Sequence, residues 1–145
     1  DANMGSLWVC GHNTGGRLGP LGFLAVYVGW GLVAGLLPPV PNGSSGIPTI
    51  GASGAIAGVM GAYFVLFPRA QIVTLVPVII YPLFLQVPAV VFLGLWFATQ
   101  LLSGATTIGG TATGGVAWWA HVGGFAAGIL FLWLFRPRRP RSRVE

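Results

Sequence analysis

GASGAIAGVMGAYFVLFPR, residues 51–69, is one apolar segment with a serine between glycines at its head and Pro68-Arg69 at its end. Residues 51–67 carry no charge, and proline followed by arginine is a stop signal at a membrane face. The spacing predicts a transmembrane helix over 51–67 with Ser53 in its first turn. There the backbone N–H groups lack intrahelical partners and the helix dipole favours negative charge. The same string warns against reading the motif alone, since Gly43-Ser44-Ser45-Gly46 matches it within a proline-rich loop with no apolar helix behind it.

The rest of the chain has the same solvent. Hydrophobic residues make up 54% of 145, and only 6% are charged, against about 25% in soluble proteins. The mean hydropathy is +0.82. This composition excludes a soluble globular domain and predicts an all-α polytopic helix bundle. Further spans are expected at about 2–13 (partial), 18–37, 84–103 and 116–135. Residues 72–103 are too long for one span, at about 48 Å, and contain Pro77, Pro82 and Pro88. Residues 71–83 are therefore expected to be an extended or interfacial lead-in. Residues 1–136 form one transmembrane domain and 137–145 a basic tail.

All seven basic residues are arginines, and the only acids are Asp1 and Glu145. Arg17, Arg69 and the run from Arg136 are separated by two spans each, so all fall on one side of the membrane. The positive-inside rule makes that side cytoplasmic, as for a multi-pass protein of a bacterial-type plasma membrane with its C-terminus inside. The cluster after an apolar span reads as an orientation signal near lipid head groups, not as a nucleic-acid site.

With that orientation, helical rise measures depth. Ser53, His121 and Asn3 precede the nearest arginine of their own span by 16, 15 and 14 residues, or about 24, 22 and 21 Å. Three polar residues from three spans thus share one level near the outer face. Small residues agree: Gly54 and Gly58 follow Ser53, and Gly124 and Gly128 follow His121, at the spacing that lets helices approach closely in lipid. Packing of these faces would bring Ser53 beside His121. A serine needs a base to become a nucleophile, and a histidine within the bilayer is expensive unless it works. No carboxylate is available inside the membrane to make a triad, which also argues against aspartic-protease chemistry and carboxylate relays. His12, five residues from Arg17, lies at the wrong depth. No HExxH occurs and Cys10 stands alone, so neither a metal nor a cofactor is expected. Asn3 could donate its amide to an oxyanion, and Trp118-Trp119 fits an interfacial aromatic belt, with one indole able to pack on His121.

On three segments the chain resembles the rhomboid family of intramembrane serine proteases. GASGAIAGVMGAYFVLFPRA is similar to the active-site helix, AWWAHVGGFAAG to the last core helix, and NMGSLWVCGHNTGGRLG to the end of the second core helix and the loop after it. The resemblance implies a six-helix core, here a fragment without the first helix. It implies a dyad of Ser53 (nucleophile) and His121 (general base), and an oxyanion held by the Ser53 backbone, Asn3 and the histidine of an HxxxN motif that would precede residue 1. Gly51, Gly54, Gly58, Gly124 and Gly128 are the implied packing residues. Transmembrane protein substrates would enter through a lateral gate around 84–103 and 104–115. The chain departs from the family where a Gly-Asp-Asn reads Gly11-His12-Asn13 and where some members place a tyrosine, here Ala57. The alternatives are a catalytically inactive rhomboid-like protein that binds membrane helices and, less favoured for want of an intramembrane charge, a small transporter or channel subunit.

Overall fold

The computed structural model describes residues 2–36, 51–78, 81–107 and 115–135. Within these, a helical run leads off: α1 (Ala2–Ser6), a π-helical turn (Leu7–Gly11) and α2 (His12–Leu18). Then come α3 (Pro20–Leu36), α4 (Gly51–Leu66), strands β1 (Gln71–Val78) and β2 (Tyr81–Pro88), α5 (Ala89–Thr107) and α6 (Gly115–Leu134). The described elements form a helical bundle with one β-hairpin. Ala89–Thr106 is long and apolar enough to cross a membrane, and Pro20–Val33, Ala52–Leu66 and Trp118–Leu134 are shorter apolar helices.

The first helical run extends to Leu18, past the expected 13, because nothing in His12–Leu18 breaks it until Gly19. Gly19 has φ 74° and ψ 163°, a region that is essentially glycine-only. Its N–H donates to the Gly15 carbonyl at 2.8 Å, and Pro20 then starts α3, a first-turn position where the missing N–H costs nothing. Gly19→Ala is expected to destabilise the protein by about 1–3 kcal/mol. A lower thermal midpoint in mild detergent would register it, and an unchanged midpoint would contradict the strained corner.

Helix α4 is the axis of the bundle, in contact with α1, the π turn, α2, α3, α5 and α6. Residues Gly54 to Tyr63 are all buried. Its 16 residues span about 24 Å, less than the apolar core of a bilayer. Around it, aromatic side chains fill the gaps left by small residues. Phe125 of α6 stacks on Phe97 of α5 with ring centroids 4.7 Å apart, and meets Phe64 of α4 and Trp96 of α5 at 5.8 Å.

The segment expected as an extended lead-in is an antiparallel hairpin, in register from Gln71↔Pro88 to Val78↔Tyr81. It reaches five residues into the span expected at 84–103, so α5 begins at Ala89 and runs to Thr107. The cause is proline: Pro82 and Pro88 favour an extended chain before them, and the strand partners supply what a helix could not. The hairpin also closes on itself. The N–H groups of Ala89 and Val90 donate to the carbonyls of Ala70 (2.7 Å) and Pro68 (3.1 Å), satisfying donors that a helix start leaves free. The C-terminal end of α4 is thereby joined to the N-terminal end of α5.

Arg17 closes α2 and Arg69 follows α4, both exposed. Arg136, the tail, residues 38–50 and the 108–114 part of the expected outer loop lie outside the described residues.

Candidate active site

A cavity of about 210 Å³ lies at the N-terminal ends of α4 and α6. Ser53, Ala57, Trp96, Gln100, Trp118 and His121 are among its lining residues, and Ser6 borders it from α1.

Two helices bring Ser53 and His121 to this cavity, and their backbones touch. A Cβ at Gly124 would overlap the Gly54 carbonyl, one at Gly128 the Gly58 carbonyl, and one at Gly61 the Phe125 carbonyl. At Gly58 an added Cβ would lie 2.7 Å from the Trp30 ring of α3. Only glycine permits this seam, which is the close approach that small residues at i and i+4 allow in lipid. Ser53 stands one residue before Gly54 and His121 three residues before Gly124, so the seam brings both to the cavity's lining. Gly51 opens α4.

Ser53 is half-buried in the first turn of α4, where its own N–H has no partner within the helix. His121 is half-buried, flanked by the indoles of Trp96 (centroids 5.9 Å, tilted) and Trp118 (6.3 Å, edge-on). These indoles occupy the imidazole's neighbourhood where Ala57, itself buried, offers no ring. Trp119 turns the other way and packs on Gly104, where an added Cβ would come within 3.1 Å of its ring.

Sequence reasoning missed Gln100. It is 5% exposed, and its Oε1 lies 2.8 Å from His121 Nδ1. Its Nε2 donates to Thr99 Oγ1 at 3.3 Å, and Thr99 Oγ1 donates to the Trp96 carbonyl at 2.6 Å. The available signal was the single amide within 89–107, which must find partners or pay for desolvation. Ser6 was missed too, being an ordinary small residue in a helix.

Asn3 stands in α1, one turn before Ser6, and its side chain lies outside the described residues. His12 is exposed and lines a different cavity, of about 330 Å³, with Met4, Leu7, Trp8, Gly11 and Phe23. Cys10 is buried and unbonded.

A family profile described as "Rhomboid domain" matches residues 2–138. The chain is 33% identical over 137 residues to "Rhomboid protein 1, mitochondrial" of Saccharomyces cerevisiae, covering 90% of this chain and 36% of that protein. No solved structure gives a significant match. The chain belongs to the rhomboid family, whose members are integral membrane proteins, intramembrane proteases or related to them. It spans little more than a third of the yeast relative's length.

Proposed function

We propose that this chain carries the active centre of a serine endopeptidase that cuts transmembrane protein substrates within the bilayer. The observation that carries the reading is the shared cavity of Ser53 and His121, built on a glycine seam that leaves little freedom to either helix. Ser53 Oγ attacks the scissile carbonyl while the His121 imidazole takes its proton, then returns it to the leaving amine. The Ser53 N–H, free at the head of α4, and the Asn3 amide hold the oxyanion. Water then hydrolyses the acyl-enzyme with His121 again as base. The chain's own residues would supply nucleophile, base and oxyanion donors, so the reaction as proposed calls on no cofactor.

The substrate helix reaches the cavity from the lipid. Helix α5 supports this, because only a narrow stripe of it is buried, at Ala89, Leu93, Gln100 and Gly104. In the proposed orientation, Arg17, Arg69 and the tail at 137–145 face the cytoplasm of a bacterial-type plasma membrane, and Ser53 lies near the opposite face. Residues 1–136 are the transmembrane domain. A catalytically inactive, helix-binding relative is the second reading, and the convergence of serine and imidazole on one cavity favours the first.

Fluorophosphonate labelling of the full-length protein in detergent tests it. Ser53→Ala and His121→Ala should abolish labelling, and Ser45→Ala should not. Equal labelling of the wild type and all three variants, or none of any, would sink the protease.

A further inference from the structure

We infer that Gln100 is a positioning residue that fixes the tautomer of His121, and that its own orientation is set by a hydrogen-bond chain ending on the Trp96 carbonyl. The inference rests on the proposed role of His121 as base.

The chain can be read in one direction only. A backbone carbonyl accepts and never donates, so at 2.6 Å the Thr99 hydroxyl spends its single proton on the Trp96 carbonyl. Thr99 Oγ1 is then left with lone pairs alone. The Gln100 atom facing it at 3.3 Å must be the donor, the amide nitrogen. The amide oxygen is therefore the atom facing His121 Nδ1 at 2.8 Å. An amide oxygen only accepts, so Nδ1 carries the imidazole proton. In neutral imidazole that leaves Nε2 with its lone pair, the form able to take a proton from a hydroxyl. Which end of a glutamine amide is oxygen is ordinarily ambiguous, and here the threonine resolves it.

A buried carboxylate would do the same for an imidazole and stabilise its cation more. Within an apolar bundle a neutral amide holds the tautomer without the cost of burying a charge. Gln100 supplies the orientation that a third triad member would supply, with no acid between Asp1 and Glu145. The flanking indoles of Trp96 and Trp118 limit rotation of the ring but offer Nδ1 no acceptor, so the tautomer depends on Gln100.

The test uses the full-length protein labelled with 15N-histidine in detergent micelles, near pH 8 and thus above the ordinary imidazole pKa of about 6.5. The His121 signals are assigned by their loss in His121→Ala. Wild type should carry its proton on Nδ1. Gln100→Leu should move it wholly or partly to Nε2, and kcat for a transmembrane substrate should fall at least about tenfold with KM within about twofold, since a wrong tautomer disables a base without displacing substrate. Thr99→Val, at an exposed position outside the cavity, frees the amide to turn and should shift the tautomer in the same sense with a smaller fall in kcat. It keeps the test decisive if Gln100→Leu does not fold. A wild-type proton on Nε2, an unmoved tautomer in every variant that folds, or a fall in kcat with no change of tautomer would each overturn the assignment. Fluorophosphonate labelling reads the serine separately. Loss of the protease reading would leave the NMR result standing, and failure of the tautomer shift would leave labelling intact.

Discussion

His121→Ala in the full-length protein should lower kcat for cleavage of a transmembrane substrate by more than about 10³-fold, and the double variant with Ser53→Ala should be no slower than either single one. In the proposed dyad, nucleophile and base act in the same proton transfer, so removing one leaves the other nothing to do, and their costs do not add. The residue of activity left by donors and binding alone sets the floor. KM should move little, because neither group is assigned to holding the substrate helix. The comparison is made with purified variants reconstituted in liposomes with one transmembrane substrate. If the double variant is slower than both singles by the product of their separate effects, the two residues work independently and the dyad is wrong.

The second large effect concerns the seam. Gly124→Val or Gly128→Val should destabilise the protein by more than about 3 kcal/mol, enough to prevent folding of a marginally stable bundle. At both positions the obstacle to a Cβ is the carbonyl of Gly54 or Gly58, part of a helix backbone that has no rotamer to change. Relief would require α4 and α6 to separate along the length that holds Ser53 and His121 on their cavity. Gly29→Ala is the matched control: a Cβ there meets nothing within 4 Å, so it should be neutral or stabilise by up to about 1 kcal/mol. Thermal unfolding in detergent gives both values. Seam variants that melt with the wild type would mean that the helices tolerate separation.

The same contrast between local and long-range relations decides what the amino-acid sequence makes legible. Helix α4 was legible because one segment carries its start, its small-residue face and its stop, and all act locally. The pairing of glycines 54 and 58 with 124 and 128 was legible because lipid leaves few other reasons for such spacing. The hairpin was legible only as something other than helix. Prolines exclude a conformation, while the register Gln71↔Pro88 is a relation between residues seventeen apart in sequence that no local rule names. The start of α5 at Ala89 follows from that register and so shared its obscurity. Gln100 was hidden for another reason. A single amide in the helix announces that it has partners, but α5 and α6 had to be brought together before His121 could be named as one.

The bonds that join Ala89 and Val90 to Ala70 and Pro68 make α5 a lever with a fixed fulcrum. A rod pinned at one end cannot slide away from its neighbours; it can only swing, with travel growing along its length. Thr107 lies about 27 Å from the fulcrum and Gln100 about 17 Å, so a swing of about 10° carries them roughly 5 and 3 Å. Three ångströms is more than the 2.8 Å contact between Gln100 and His121 can survive. An outward tilt of that size would unlatch the imidazole, and the same tilt reversed would latch it again. In the proposed protease, admission of a substrate helix and readiness of the base would then be two positions of one arm.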